Sequence, residues 1–290
     1  MIIVTGATGQ LGRQIVERLL TRLPADRVGV SVRDPRKAQD LADQGVRVRQ
    51  GSFTEPAGLT HAFEGATQVL IVSVDKMGDE CVKQHRVAIE GAVAAGARRI
   101  LYTSQMGAST TSRFQACVDH AATEEALRAS GVPFTALRNG FYAASAAHFL
   151  SPAVESGQLV LPADGPTSWT AHADLAEAAA AILADEGRFD GPTPPLTGSQ
   201  ALTFDDIAAL ATGITGRPMT RTVAQDDDFR EQLVGQGVPG ETADQLLGIF
   251  AASRAGEFAT VDPTLASLLG REPIALDAAL SEELAGGHTR

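Results

Sequence analysis

The first half of the chain alternates short apolar runs with stretches of helical periodicity. The apolar runs, each of strand length, lie at residues 1–4, 27–32, 46–50, 67–73, 98–103 and 132–138. Helical periodicity follows at 14–20, 35–44, 79–95 and 114–130. Strands that alternate with helices are typical of an α/β fold. The pattern therefore predicts a Rossmann-type, doubly wound parallel sheet with helices on both faces.

The pattern changes near residue 150. Glycine and proline interrupt residues 157–166, and 172–184 is an alanine-rich helix. A turn or linker is expected at 191–195, and five further helices are expected at 204–212, 226–236, 241–254, 263–269 and 273–284. We therefore predict a nucleotide-binding domain over 1–150 and a smaller, mainly helical substrate subdomain over 151–290. Part of the second segment is expected to return to the sheet, and residues 286–290 are expected to fray.

Three glycines separate the first strand from the first helix. Gly6, Gly9 and Gly12 recur at a spacing of three, directly after the apolar run at 1–4. The first glycine allows a sharp turn, the second lets the backbone approach a pyrophosphate, and the third lets the helix pack closely on the sheet. The free N–H groups at the helix N-terminus then face the phosphates. This context favours a dinucleotide site over an ordinary strand-to-helix turn.

A basic residue ends the second predicted strand. Arg33 stands about twenty residues after the glycines, where an acidic residue would bind the ribose 2′-hydroxyl of NAD. An arginine instead suits the 2′-phosphate of NADP, because its planar guanidinium matches a phosphate. Lys37 could add a second positive charge. The alternative for both residues is a solvated loop and helix face. We therefore expect NADP(H) as the cofactor.

Ligands in open parallel sheets lie at the carboxyl ends of the strands. By that rule Ser52 and Phe53 are expected to flank the adenine. The nicotinamide is expected near the residues that end the next three strands: Ser73, Val74, Thr103, Ser104, Asn139 and Phe141.

Composition and charge narrow the classes of partner. The net charge of −11 argues against nucleic acid or an anionic membrane as the main partner. Cys81 and Cys117 lack the spacing of a metal site and are expected to be buried thiols in helices. No apolar run is long enough to cross a bilayer, and a core strand is predicted from the first residue, so we expect no secretory signal and a cytoplasmic protein.

Several motifs together carry a family resemblance. They are Thr-Gly-Ala-Thr-Gly-Gln-Leu-Gly at 5–12, Val-Arg-Asp-Pro-Arg-Lys-Ala at 32–38, Gln-His-Arg at 84–86, Leu-Tyr-Thr-Ser at 101–104 and Leu-Arg-Asn-Gly-Phe-Tyr at 137–142. With the segments at 173–180 and 203–208, almost the whole chain resembles the NmrA-like atypical short-chain dehydrogenase/reductases. The nearest likeness is to the quinone oxidoreductases and triphenylmethane reductases that use NADPH. The resemblance implies NADP contacts from Gly6, Thr8, Gly9, Gln10, Leu11, Arg33, Ser73, Ser104 and Asn139.

The usual acid of short-chain reductases is missing. Their Tyr-x-x-x-Lys motif pairs a tyrosine acid with a lysine, but Met106 and Ala146 stand four residues after the two tyrosines. Many relatives also carry His-x-x-Thr-Glu-Lys, whose lysine position is Glu125 here. Simple ketone reduction is therefore in doubt, because a developing alkoxide needs a proton or an oxyanion partner. A quinone or a cationic conjugated dye depends less on that help.

Three side chains are candidates to polarise an acceptor oxygen: Tyr142, His120 and Gln105. Each has a structural alternative, as a packing aromatic, a satisfied helix histidine or a loop cap. His85 and Arg86 belong to the family pattern and could equally pack on their helix. Apolar aromatic residues that could line the acceptor pocket, or simply pack in the core, are Phe141, Phe149 and Trp169.

The leading hypothesis is an NADPH-dependent reductase of a quinone or another small, planar aromatic substrate. One alternative is a non-catalytic NADP sensor that binds a regulatory protein, and the charge reversal at Glu125 gives it weight. Another is a tailoring oxidoreductase that acts on a polycyclic aromatic natural product. Homodimer formation is left open by the sequence.

Overall fold

The computed structural model describes residues 1–286, and residues 287–290, most of the expected frayed end, lie outside the described residues. The strands are β1 (Ile2–Thr5), β2 (Val28–Val32), β3 (Arg47–Gln50), β4 (Gln68–Ile71), β5 (Arg99–Gln105), β6 (Phe134–Asn139), β7 (Phe141–Tyr142), β8 (Gln158–Pro162), β9 (Thr167–Thr170), β10 (Gly191–Pro192), β11 (Ala201–Leu202) and β12 (Thr220–Ala224). The helices are α1 (Gln10–Leu20), α2 (Gln39–Asp43), α3 (Pro56–Phe63), α4 (Asp79–Ala94), α5 (Gln115–Ala129), α6 (Ala143–Ser156), α7 (His172–Ala184), α8 (Phe204–Thr215), α9 (Asp226–Gly235), α10 (Gly240–Arg254), α11 (Thr264–Leu269) and α12 (Leu276–Gly286).

A parallel sheet forms the centre of the molecule. Within residues 1–286 its seven strands run in the order β10-β6-β5-β4-β1-β2-β3, and every neighbouring pair is parallel. The chain proceeds outward from β1 through β2 to β3, then returns to the other side of β1 at β4. This reversal opens a crevice beyond the carboxyl ends of β1 and β4, where ligands of doubly wound folds bind. The predicted α/β Rossmann-type fold is confirmed.

Strand residues alternate between two apolar layers, as the period of two requires. Ile2 and Val4 of β1 pack with α1 and α7 on one face of the sheet. Ile3, between them, packs with α3 and α4 on the other face. All four residues of β1 are buried, because helices cover both faces. This explains why the central strands appear in the sequence as continuous apolar runs.

The segment after residue 150 is less purely helical than expected. β8 and β12 pair in parallel, while β9 pairs with β7 and β11. A third apolar cluster, which includes Trp169, Phe204, Phe250 and Phe258, packs these strands against α6, α8 and α10. The sequence pattern concealed the strands because β12 is largely exposed and glycine and proline interrupt the region around β9.

Several element bounds differ from the predictions. α1 begins at residue 10, four residues earlier than expected. The helix predicted over 35–44 is a 3₁₀ turn, Pro35–Ala38, followed by the short α2. α3 and α6 were not predicted, since α3 has eight residues and α6 contains Pro152.

Part of the second segment joins the central sheet. β10, which lies in the predicted turn at 191–195, pairs with β6, and α7 packs against α1. The division of the chain at residue 150 stays a prediction. None of the helices within residues 1–286 has the length and apolar character that a bilayer-spanning helix needs.

Candidate functional site

The glycine loop lies at the switch point of the sheet. Gly6 turns the chain off β1 with a φ of 64°, in the left-handed region that glycine favours. Gly9 precedes α1, whose first turn has no acidic residue and no capping side chain. Thr8, Gly9 and Gln10 are exposed. The first N–H groups of α1 are therefore open to an anion.

Two residues of the loop motif pack rather than face outward. Gly12 is buried, and an added Cβ there would overlap the carbonyl oxygen of Gly6. This close packing is the role that the glycine spacing predicts for Gly12, while its contact with a cofactor stays a prediction. Leu11 is also largely buried, although it reaches the edge of the cavity described below.

Free positive charge collects at the end of β2. The side chains of Arg33 and Lys37 are exposed and have no ion-pair or hydrogen-bond partner within residues 1–286. The intervening Arg36 is instead held by Asp34, with its Nε 2.9 Å from Oδ1 and its Nη2 3.0 Å from Oδ2. This contact lowers the pKa of Asp34 and occupies its carboxylate. Arg33 and Lys37 therefore remain available for a phosphate.

The residues expected near an adenine follow β3, the neighbour of β2. The Ser52 hydroxyl is 2.8 Å from the Thr54 hydroxyl in a local turn. Phe53 is half-buried against the apolar layer beneath α3. Their contact with an adenine stays a prediction.

A large outer cavity extends from the glycine loop over the ends of β1 and β4. Its volume is about 1010 Å³. Gly9, Gln10, Ser73, Val74 and Tyr142 line it, so the structure brings together residues from three predicted contact segments. α6 and α10 form its far wall. The size falls at the upper end of the range for small-molecule and cofactor sites.

An inner cavity of about 250 Å³ continues from the outer one. The two share Ser73, Val74, Tyr142 and Ser145. All three candidates for polarising an acceptor line the inner cavity, together with several predicted cofactor contacts: Gln105, His120, Tyr142, Ser104, Asn139 and Phe141. The structure thus brings the residues predicted at the ends of β5 and β6 together around one cavity, while the role of each residue stays a prediction.

Gln105 is fixed by its carbonyl oxygen. Oε1 accepts hydrogen bonds from the backbone N–H of Gly107 and from Cys117, whose Sγ is 3.1 Å away. Its Nε2 is buried without a hydrogen-bond partner among residues 1–286. A buried amide nitrogen without an acceptor is costly, so it is a natural donor to a ligand oxygen.

Tyr142 stands where the two cavities meet. Its ring lies 4.3 Å from the ring of His172, measured between centroids. Burial raises the pKa of Tyr142, so the phenol remains protonated at neutral pH. A side-chain hydrogen bond with Asn139 partly offsets this effect of burial, and Tyr142 borders both cavities, where its phenol can meet a ligand.

His120 is a partly buried ring with one hydrogen-bond partner among the described residues. Its Nδ1 is 2.6 Å from the Tyr102 hydroxyl, which lies behind the cavity. Burial lowers the pKa of His120 to about 3, with a smaller effect from His85. The ring is therefore neutral at physiological pH. No acceptor for Nε2 exists within residues 1–286.

Two predicted contacts serve as supports. Thr103 is buried, and its hydroxyl accepts a hydrogen bond from the Ser73 backbone N–H at 2.8 Å, while its contact with a cofactor stays a prediction. Ser104 borders the inner cavity, yet its hydroxyl donates to Glu124 at 2.7 Å. Glu124 also binds Arg138, with Oε2 2.7 Å from Nη2. These contacts hold β5, β6 and α5 together behind the site.

The aromatic residues divide between lining and core. Phe141 borders the inner cavity and packs edge-on against Trp169 at 5.3 Å between ring centroids. Phe149 borders the outer cavity. Trp169 is buried in the third apolar cluster, and its Nε1 donates to the Leu202 carbonyl, which is the core position named as its alternative role.

Sequence reasoning missed several lining residues. Met77 and the exposed Lys76 border the inner cavity from the loop before α4, and Ile249 borders it from α10. Asp119 borders it too and accepts a hydrogen bond from the Gly78 backbone N–H at 2.6 Å. No motif marks these positions. Only the spacing of Ala116, Asp119 and His120 within α5, at i, i+3 and i+4, could have signalled a shared face.

Of the remaining candidate positions, Cys81 borders the inner cavity, whereas Cys117, His85 and Glu125 lie outside both cavities. Both cysteines are buried and unpaired in α4 and α5, as expected, and burial raises the pKa of each thiol to about 12. His85 is fully buried, with its Nε2 accepting a hydrogen bond from the Val74 backbone N–H at 3.0 Å. Glu125 is 69% exposed and pairs with Arg128.

The fold and the site define a nucleotide-binding oxidoreductase with an adjoining cavity for a small molecule. Residues 1–281 match the NmrA-like family, and the chain belongs to that family. It is 36% identical over 282 residues to quinone oxidoreductase 2 of Escherichia coli strain K12, covering 97% of this chain and 98% of that protein.

Solved structures extend the comparison. An NADPH-dependent quinone oxidoreductase from Escherichia coli, complexed with NADPH, superposes with a TM-score of 0.91 at 35% identity and covers 98% of this chain and 100% of that one. The Citrobacter sp. triphenylmethane reductase complexed with NADP(H) gives 0.89 at 32% identity, with 98% and 100% coverage. The predicted family, fold and class of enzyme that uses NADP(H) are confirmed.

Proposed function

We propose that this chain is an NADPH-dependent reductase that delivers hydride to a quinone or a related planar conjugated acceptor. The observation that carries the proposal is the continuity of the two cavities. The outer cavity begins at the glycine loop, and the inner one ends among polar side chains. A nicotinamide near Ser73 and Val74 would then face an acceptor in the inner cavity. The names of the relatives support the same chemistry.

The residues present fit the dinucleotide. The open N-terminus of α1 would hold the pyrophosphate, and Gly9 leaves the space that a side chain would fill. Arg33 and Lys37 would hold the 2′-phosphate of NADPH. When bound, NADPH supplies the hydride. The protein then contributes position and electrostatics.

The inner cavity suits a flat aromatic acceptor. Phe114, Phe141 and Met77 give it apolar walls, and its volume of about 250 Å³ admits one or two fused rings. His120, Tyr142 and Gln105 surround it with neutral hydrogen-bond donors. Donors of this kind stabilise the negative charge that a quinone oxygen gains as hydride arrives. Solvent can protonate the resulting phenolate, so a Tyr-x-x-x-Lys acid pair is not required.

Oxidation of NADPH by a panel of acceptors tests the proposal. We expect simple benzoquinones and naphthoquinones to turn over far faster than unactivated ketones of equal size. A ketone that is the better substrate would contradict the proposal. Protein that binds NADPH yet reduces no quinone, dye or polycyclic acceptor would instead favour the non-catalytic sensor. Preference for polycyclic quinones would favour a tailoring role.

A further inference from the structure

A row of three polar side-chain rings, in contact one after another, lies behind the inner cavity. His85 of α4, Tyr102 of β5 and His120 of α5 follow one another, with ring centroids 5.1 Å and then 5.5 Å apart. His85 and Tyr102 are fully buried, and neither borders a cavity. Only His120, the third of these rings, borders the inner cavity. Buried polar groups must satisfy one another, so their hydrogen positions are determined together.

The first ring has a defined tautomer. The Val74 backbone N–H donates to His85 Nε2 at 3.0 Å, so Nε2 carries no proton. The proton of a neutral His85 is therefore on Nδ1, which lies 3.0 Å from the Thr123 hydroxyl oxygen and 3.3 Å from that of Tyr102. The Thr123 hydroxyl donates to the Asp119 carbonyl at 2.8 Å, which leaves its oxygen as an acceptor. Cys81, with its Sγ 3.8 Å from Nδ1, makes the only other polar contact within the described residues.

The second ring transmits this constraint. Because His85 Nδ1 is already protonated, it cannot accept the phenolic proton of Tyr102. The Tyr102 hydroxyl also has a side-chain hydrogen bond with Thr123, but its contact with His120 Nδ1, at 2.6 Å, is shorter than the 3.3 Å to His85, and we assign its O–H as the donor to His120. With that assignment, a neutral His120 carries its own proton on Nε2. That nitrogen has no partner within residues 1–286, while its ring borders the inner cavity.

We propose that His85 and Tyr102 are positioning residues that hold His120 as a neutral ring with its Nε2–H directed to the oxygen of the acceptor. The proposal rests on the proposed function and adds the source of its main hydrogen bond. Hydride adds to the acceptor, and the displaced electron pair moves onto the acceptor oxygen. The Nε2–H bond stays intact, and water later supplies the proton. A neutral imidazole is suited to this role, since it donates a hydrogen bond and keeps its proton, so it needs no reprotonation between turnovers.

The protonation states support this assignment. Burial lowers the pKa of His85 to about 4, and burial together with the neighbouring His85 lowers that of His120 to about 3. Both rings are therefore neutral across the range in which the enzyme would work. Burial also raises the pKa of Tyr102, which keeps its phenol protonated.

The tautomers can be observed without any catalysis. In ¹⁵N-histidine-labelled, cofactor-free protein, long-range ¹H–¹⁵N spectra should show the proton of His85 on Nδ1 and that of His120 on Nε2. The exposed ring of His61 provides an internal reference. Tyr102→Phe, which keeps the shape of the ring, should let His120 populate both tautomers. A proton on His120 Nδ1 in the wild-type protein, or an unchanged His120 spectrum in Tyr102→Phe, would overturn the assignment.

A stable oxyanion tests the link to the site. 4-Nitrophenolate should bind near His120 and shift its Nε2 signal, and His120→Ala should weaken this binding about ten- to a hundredfold, the effect of losing one hydrogen bond to a charged oxygen. The affinity for neutral 4-nitroanisole should fall far less in the same variant. His120→Gln should restore part of the affinity, because its amide N–H replaces Nε2–H. Equal losses for both ligands would refute a role in charge stabilisation.

Turnover gives the third measurement. Tyr102→Phe should lower kcat for a quinone about tenfold and leave the Kd of NADPH unchanged, and Glu125→Ala on the outer face of α5 serves as the control. An unchanged kcat would contradict the proposal. If no acceptor is reduced but the tautomers and oxyanion binding are as expected, the proposed function fails while the positioning chain stands.

Discussion

Arg33 should determine the preference for NADPH over NADH. Its exposed guanidinium has no partner to release within residues 1–286, so Arg33→Ala removes a phosphate contact without breaking an internal one. A charge-assisted hydrogen bond contributes about 1.5–3 kcal/mol, which corresponds to a ten- to hundredfold change in Kd. Solvent screening at this exposed position and the nearby Lys37 place the expected loss in the lower part of that range.

The assay is the quenching of Trp169 fluorescence, or calorimetry, with NADPH and NADH titrated in parallel. The affinity for NADH should change little, and the loss for NADPH should shrink as salt concentration rises. Arg27→Ala is a matched control. It makes the same change in charge but lies at the opposite, amino end of β2, roughly 17–20 Å from the carboxyl end. Equal losses for the two nucleotides in Arg33→Ala, or an equal loss of NADPH affinity in Arg27→Ala, would refute the assignment.

The other predictions concern the loop, α5 and acid stability. Gly9→Val should abolish nucleotide binding and leave the melting temperature within a few degrees, because an added Cβ meets a single backbone atom at 3.4 Å; retained affinity would mean that the loop does not hold phosphate. Glu125→Ala should change quinone turnover only a few-fold, because its side chain lies on the outer surface. Glu124→Ala should instead lower the free energy of unfolding by about 1–3 kcal/mol, because it leaves its partially exposed partner, Arg138, unpaired. Equal stability of the two variants in urea titrations would contradict this difference. His85 and His120 bind protons less readily when folded than when unfolded, so their contribution to stability is complete above about pH 6.5 and falls on acidification toward pH 4 and pH 3. Urea titrations between pH 7 and pH 4 should show this loss, and a smaller one in His120→Gln; identical pH dependence would refute it.

The parts of the fold that sequence predicted are those encoded locally. The loop around Gly6 and Gly9 joins a buried strand to an amphipathic helix, and each glycine has a requirement that neighbouring residues reveal. The same holds for Arg33, because the end of β2 follows from its apolar run. Parallel strand order then brings Ser73, Gln105 and Asn139 to one edge of the sheet.

The parts that sequence missed depend on distant contacts. β8 and β12 lie about sixty residues apart and stabilise each other by pairing, although neither alternates apolar and polar residue types along its sequence. Thr103 occupies the expected strand end, yet its side chain faces inward to support Ser73. Likewise, the lowered pKa of His120 comes mainly from its burial, with a smaller effect from His85, 35 residues earlier, and the sequence holds no local sign of either.

The geometry of α5 shows whether Glu125, at the position where many relatives carry lysine, faces the cavity. Ala116, Asp119 and His120 face the inner cavity, at the spacing of one helix face. Position 125 follows His120 by five residues and lies about 140° further round the helix. Glu125 accordingly points outward to Arg128, whereas the adjacent Glu124 is buried. The charge reversal at position 125 therefore changes the outer surface and leaves the donors of the cavity in place. The sequence argument for a non-catalytic sensor depended on that reversal, so the structure removes its main support and leaves hydride transfer assisted by neutral donors as the stronger explanation.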